Sequence, residues 1–451
     1  MFHQITVCSV KGFHGCFFIG CKYSNTNSNC KLEIAKYYFF STKRRTREMV
    51  CTLKHLSLCP EMEALYLFNP ENDMALACGD PYYMAPASAR RMAAELSMLP
   101  AWYAEEGGTV WLDSAQRMKT MERQSFLPLS VNWVLEFVPI YNKVIPWGWN
   151  PSLVRRLQEA GFPDTAYPSV ERMKRIRQIS GRQTAVKVLR RLCRHIGGNI
   201  PTLGEAFVLS STEKVKAFVL SHSRALLKAP WSGSGRGIQY VSGSFPIPLE
   251  GWIRHILTTQ HEVIGEPFYD KLLDFAMEFF ADEWGQVHFI GYSLFETDKR
   301  GVYKENLLAA DRVIEERIST YVSAEILHQV GRALQVELAE VIKGSYEGYL
   351  GVDMMICRTQ NGGYAIHPCV EINLRMNMGV VARLIYDNYV CDGGQGRYVI
   401  EYYAKPGEAW HSHLALQEKH PLYLENGKVK SGYLSLTPVE NNTSYQAYIL
   451  I

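Results

Sequence analysis

The sequence has no uninterrupted apolar run near the ~20 residues that a membrane-spanning helix needs, so no membrane span is expected and the chain reads as a soluble protein. It has no surplus of one charge. Lys and Arg number 48 against 45 Asp and Glu, and a net charge of +3 gives no reason to expect nucleic acid across the whole surface. None of the 11 cysteines is spaced CxxC. Six of them, Cys8, Cys16, Cys21, Cys30, Cys51 and Cys59, fall before residue 60 and the rest are scattered singly, so neither a zinc ribbon nor a disulfide framework is indicated. A reducing cytoplasm is the default location. No secretory leader is expected either, since Lys11 and His14 interrupt the first apolar pieces and no basic segment leads into them. No internal repeat or low-complexity tract is present.

What is present is ordinary globular composition, 47% hydrophobic and 21% charged. The 451 residues are about three times the ~150-residue domain prior, so two or three packed domains are expected. Residues 1–61, with scattered Cys, the polar run Ser24 to Asn29 and the basic cluster Lys43, Arg44, Arg45 and Arg47, show no sustained period and read as an irregular extension, with Met62 the natural start. From 62 to 168 short apolar strands (64–68, 109–112, 144–146) alternate with helical stretches (87–96, 151–160), which is βα packing on a parallel sheet. From 169 to 197 the pattern is helical and basic, with nine Lys or Arg from Arg172 to Arg194 and a break at Ser180 and Gly181. Solvated helix faces account for those charges, with a polyanion-facing surface as the alternative. Beyond Gly198 the chain reads as strands and hairpins (225–228, 238–241, 273–281, 286–296), then a long helix over 323–343 and two further strands, 348–357 and 364–373.

Two segments carry chemistry. In Leu226 to Ile238, LLKAPWSGSGRGI, a lysine ends an apolar strand and a loop with Gly233, Gly235 and Gly237 follows. Glycines let backbone N–H groups approach a phosphate closely, and the lysine supplies a point charge, though a plain Gly/Ser hairpin turn would look the same. In VEINLR, Glu371, Asn373 and Arg375 alternate and so project from one strand face. Asp353 in GVDMMI lies eighteen residues before Glu371, and Asn361-Gly362-Gly363 offers the turn that sets the two strands side by side. Asp353, Glu371 and the Asn373 amide oxygen then form an all-oxygen set suited to Mg²⁺, with a salt-bridged strand pair as the competing reading.

These segments, with GEPFYDKLLDF between them and in this order, resemble the ATP-grasp superfamily over about residues 169–383. The resemblance implies an α/β and α+β fold: a βα domain of the kind that precedes an ATP-grasp module (62–168), a small lobe with linker helices (169–262), a large lobe (263–395) and a C-terminal segment packed on the module (396–451). It implies an ATP-dependent ligase with Mg²⁺ that activates a small-molecule or peptide carboxylate as an acyl phosphate for attack by an amine or similar nucleophile. Lys228 matches the phosphate-binding lysine, and Ser232, Gly233, Ser234, Gly235, Arg236 and Gly237 match the loop closing over the phosphates. Arg182 stands near the place of a second ATP-contacting cation. Val263 to Phe268 resembles the hinge that meets adenine, with Glu266 and Asp274 for the adenine and ribose contacts, and Lys304 reaches toward the phosphates. Asp353, Glu371 and Asn373 match the metal positions, and Arg375 the residue facing the transferred group. Arg182 replaces lysine, Leu374 stands where proline is common, and the hairpin from Asp353 to Glu371 is long.

Weaker candidates complete the reading. His411 and His413 form an HxH pair without acidic company, which suits an ordinary loop or strand. His367 and Cys369 share the face of Glu371 if the pleat is regular, with Pro368 between them arguing against it. The glycines Gly393, Gly394 and Gly396 read as a turn, and Trp147-Gly148-Trp149 as a packed turn or the wall of a substrate cleft. The functional alternatives are a nucleotide-binding sensor or partner protein without turnover and, further off, a nucleic-acid-binding protein using Arg172 to Arg194.

Overall fold

The computed structural model describes residues 5–8, 17–24, 31–32, 36–39, 48–50, 64–124, 127–196, 201–232, 237–297 and 303–451. Two compact units divide at residue 62. In the first, antiparallel strands Ile5–Cys8, Phe17–Ser24, Lys36–Phe39 and Glu48–Val50 pair in that order, and Lys31–Leu32 pairs with Phe17–Ser24, where the sequence shows no sustained period.

The second unit begins with a parallel sheet in the order Asn132–Val134, Thr109–Trp111, Leu65–Leu67, Val144–Pro146. The chain runs outward from Leu65–Leu67 to one side and returns to Val144–Pro146 on the other. The loops after these two strands therefore meet at a point where the strand order reverses, the usual position of a ligand crevice in such sheets. Asn69 locks them together: its Nδ2 donates to the Gly148 carbonyl at 2.8 Å, and the Gly148 N–H donates back at 3.3 Å. Helix Asn72–Cys78 starts from this point with Asp73 in its first turn.

Helices Val170–Ile179 and Arg182–Ile196 follow, the first capped by the Ser169 hydroxyl on the Arg172 N–H. A four-stranded antiparallel sheet comes next, ordered Phe207–Leu209, Val263–Pro267, Ala225–Lys228, Ile238–Val241. Helices Thr212–Ser221 and Ile247–Gln260 pack on it around Val215, Leu227, Ile253 and Val263. Both helices correct the reading of this region as strands and hairpins alone. Ser211 caps the first on the Lys214 N–H, and a proline opens the first turn of the second.

The third sheet has eight antiparallel strands in the order Tyr364–Asn373, Gly348–Arg358, Asp270–Ala281, Val287–Thr297, Tyr303–Leu308, Gly396–Tyr402, Tyr445–Leu450, Tyr433–Ser435. Period-2 alternation sorts its residues. Phe275, Met277, Phe279, Leu350, Val352 and Met354 are buried in one cluster with Val186 and Leu189 of helix Arg182–Ile196 and with Leu334 and Leu338 of helix Ala324–Ile342. Asp274, Ala276, Glu278, Asp353 and Gly351 consequently take the opposite face. The whole is a parallel βα layer followed by a small and a large antiparallel sheet, the two-lobed α/β and α+β architecture that the ATP-grasp resemblance implies. Among the described residues no helix is long and apolar enough to cross a membrane.

Candidate active site

The register of the large sheet sets Ala276, Asp353 and Glu371 in one row and Glu278, Gly351 and Asn373 in the next. Three strands thus bring three acids and an amide together on the face opposite helices Arg182–Ile196 and Ala324–Ile342, where the N-cap Asn377 of helix Met378–Tyr389 meets Glu278. Asn373 Nδ2 donates to Asp353 Oδ2 at 3.1 Å, which leaves the Asn373 carbonyl oxygen uncommitted to that contact. Burial raises the Asp353 pKa to about 7, and the Glu371 carboxylate beside it adds to the rise.

Arg182 joins this group to the glycine loop. Its guanidinium is within 2.9 Å of a Glu371 oxygen, and it donates to Ser232 Oγ at 2.6 Å and to the Ala229 carbonyl at 2.7 Å. The side chain is buried, and its Nε has no acceptor among the described residues. Gly237 closes the described part of the loop at φ 76°, a left-handed conformation that favours glycine. Gly233, Ser234, Gly235 and Arg236 lie outside the described residues.

Lys228 ends its strand as expected, but its ammonium donates to Glu266 at 2.6 Å and both groups are buried. Glu266 Oε2 therefore answers Lys228. Phe268 donates its N–H to the Arg224 carbonyl at 3.1 Å and lies under the Arg224 guanidinium, 3.7 Å from ring centre. Asp274 contacts Lys271 and accepts from Thr297 Oγ1 at 3.2 Å. Lys304 is about half exposed and lies 3.7 Å from Glu296, and no described contact joins it to the acidic group.

Arg375 corrects the expectation of a third alternating strand residue. The strand ends at Asn373, and the Arg375 N–H turns back onto the Asn373 carbonyl at 2.9 Å. Its guanidinium reaches Asp73 instead, at 2.8 and 2.7 Å. Burial would lower the Arg375 pKa, and the Asp73 carboxylate outweighs it and raises it. A small cavity of about 20 Å³, room for one water-sized group, lies among Asp73, Ser232, Glu371, Asn373 and Arg375.

Sequence reasoning missed two acids. Glu278 is 1% exposed, accepts from Asn377 Nδ2 at 2.8 Å, and has its pKa raised to about 8, first by burial and then by Asp353. Its signal was the alternation of Asp274, Ala276 and Glu278 inside an otherwise apolar strand. Asp73 was signalled by the polar run Asn69 to Asp73 directly after the first parallel strand.

The weaker candidates also find their places. His367 and Cys369 do not share a face, because a register shift sets three residues, Pro368 to Val370, opposite Met354 alone. The Cys369 thiol lies 3.8 Å from the Ala185 carbonyl on the helix side, and burial raises its pKa, so no nucleophilic pair forms. His411 and His413 lie on helix Glu408–Lys419, not in a loop or strand, and His413 is buried against the Tyr433 hydroxyl at 2.7 Å. Gly393 and Gly394 form a turn, and Gly396 begins a strand.

Neither a protein-family model nor a curated protein sequence matches the chain. Similar solved structures include the biotin carboxylase of Campylobacter jejuni in a β,γ-ATP complex, at 12% identity over 86% of this chain and 87% of that one, with a TM-score of 0.48. Another is the biotin carboxylase domain of the Hydrogenobacter thermophilus 2-oxoglutarate carboxylase with MgADP and bicarbonate, at 12% identity over 87% of each chain and a TM-score of 0.44. A third is a carboxyaminoimidazole synthase of Aspergillus clavatus with ADP and its ribonucleotide, at 12% identity over 86% of this chain and 94% of that one and a TM-score of 0.44. At that identity no residue's role passes from them to this chain.

Proposed function

We propose that the chain is an ATP-dependent ligase that activates a carboxylate as an acyl phosphate and passes the acyl group to an amine or similar nucleophile, with Mg²⁺ as cofactor. The observation that carries this reading is Asp353, half-buried directly across from Glu371 with Asn373 hydrogen-bonded to it. Two carboxylates and an amide oxygen are a hard donor set that fits Mg²⁺. Among the described residues no group of three or more His, Cys, Asp or Glu is placed to hold a metal. A set of two carboxylates agrees with an ion that completes its shell with phosphate oxygens and water.

Bound MgATP would supply the γ-phosphoryl group: the substrate carboxylate oxygen bonds to phosphorus as the bridge to ADP breaks, and the amine later displaces phosphate and loses a proton. The chain's own part is positioning and charge. Arg182 holds Glu371 and the start of the glycine loop in one frame. Lys228 brings a cation to the end of its strand, and Arg375 stands beside the small cavity with Asp73 fixing its plane. Burial raises the Glu278 pKa to about 8, which favours its neutral form beside the two metal carboxylates.

The alternative of a nucleotide-binding protein without turnover draws on one observation, the neutralisation of Lys228 by Glu266. Glu371→Gln separates the two. The amide still accepts from Arg182, so the variant folds and binds ATP, while ADP release, screened with amino acids, small peptides and amines, falls by orders of magnitude. A folded variant that turns over near the wild-type rate would overturn the ligase reading.

A further inference from the structure

Beyond the small cavity, the same face of the large sheet opens into a cleft of about 410 Å³. Phe280 lies two residues past Glu278 and Tyr349 four residues before Asp353, so this wall begins roughly 13 Å along the strand from the acidic row. The two rings stack edge to face at 5.0 Å. The lining also takes Trp147 and Trp149 from the crevice of the parallel sheet, together with Tyr66 and Tyr103. The cleft adjoins the candidate site: Met376, next to Arg375, lines it and donates its N–H to the Trp147 carbonyl at 2.9 Å.

The charges of the lining balance, with Lys143 and Arg172 against Glu105 and Glu347. Lys143 is paired with Glu347 at 3.1 Å, and Arg172 spends one N–H on the Ser345 carbonyl at 3.0 Å. No cluster of free cations is left of the kind that holds a phosphate group. Glu105 is exposed and has no ion-pair partner among the described residues. An aromatic lining and a carboxylate without an ion-pair partner favour a flat apolar body carrying an ammonium group. The volume falls in the range of small-molecule sites.

We propose that this cleft binds the nucleophile as a ring-bearing amine without a phosphate group. The assignment as nucleophile rests on the ligase reading, whereas binding in the cleft does not. The test uses phenethylamine as probe on the full chain, with 3-phenylpropionate and ribose 5-phosphate beside it, by titration calorimetry and saturation-transfer NMR. Phenethylamine should bind more tightly than either comparison compound. Its Kd should rise at least tenfold in Trp149→Ala and in Tyr349→Ala, and Trp149→Phe should recover most of the loss, with melting curves confirming that each variant is folded. Absent binding, equal binding by folded Ala variants, or a preference for ribose 5-phosphate would overturn the proposal. MgATP binding is measured in the same samples. If MgATP binds and phenethylamine does not, only the cleft assignment falls; if phenethylamine binds as stated and MgATP does not, the ligase reading falls and the amine site stands.

Discussion

Asp73 grips the Arg375 guanidinium with both carboxylate oxygens, at 2.8 and 2.7 Å, across 302 residues of sequence. One partner starts the first helix of the parallel βα layer and the other follows the last strand of the acidic group. The first part of the second unit thereby sets the orientation of a cation beside the candidate metal residues. A planar bidentate pair fixes direction as well as distance, which a lysine could not do.

Asp73→Asn removes the charge and one of the two acceptors. The expected cost in stability is about 2 kcal/mol, the scale of a hydrogen bond to a charged group. ADP release should fall by more than the folded fraction explains, because Arg375 is free to turn. Urea unfolding and turnover measured on the same sample check both, and an unchanged rate with lowered stability would reduce the pair to a structural link.

Arg182 is expected to resist its conservative replacement. Arg182→Lys keeps the charge but cannot serve Glu371, Ser232 and the Ala229 carbonyl together. Leaving Glu371 or the loop without its partner should lower MgATP affinity by about tenfold, on the order of 1.4 kcal/mol. Binding of a fluorescent ATP analogue measures it. Affinity equal to wild type would detach Arg182 from the nucleotide.

Glu278 supplies a pH test beside the candidate metal residues. Its folded pKa is about 8, above the ordinary carboxyl value. Between the two values the folded state keeps a proton that the unfolded state has lost, so its contribution is complete at low pH and is lost as pH rises toward 8 and beyond. The melting temperature should fall across that window. Glu278→Gln keeps an oxygen for Asn377 and removes the titration, so its curve should be flatter; parallel curves for the two proteins would refute the shifted pKa.

Much of the site was legible because strands have period 2. Glu371 and Asn373, two apart, announced a shared face, and the turn at Gly362 announced the partner strand carrying Asp353. Strand periodicity says nothing about where a strand stops, so Arg375 was placed one alternation too far. Neither could it show the ion pairs that bind distant segments, Asp73 with Arg375 and Arg182 with Glu371. The helices Thr212–Ser221 and Ile247–Gln260 did carry local start signals, Ser211 and Pro248, but the glycine turns around them drew the reading toward hairpins. Trp147-Gly148-Trp149 read first as a packed turn and second as a cleft wall, and the fold puts both tryptophans in the lining of the cleft with Phe280 and Tyr349.

The pairing of Lys228 with Glu266 changes what its mutation should do. In the sequence alone, Lys228→Ala removes a cation from phosphates and leaves folding largely intact. In the structure both groups are buried at 2.6 Å, so removing the lysine leaves a carboxylate unpaired inside the protein, a loss on the order of 3–5 kcal/mol. Lys228→Ala should therefore be markedly unstable, and its weak nucleotide binding would not by itself reveal the role of the ammonium. The double variant Lys228→Met, Glu266→Leu replaces the ion pair by apolar groups of similar size, an exchange that is often neutral or stabilising. It should melt near the wild-type temperature. If Lys228 meets the phosphates, MgATP affinity in this stable double variant stays at least tenfold weaker than wild type. Affinity restored together with stability would mean that the pair only holds the strands together, and the phosphate cation would have to be sought elsewhere.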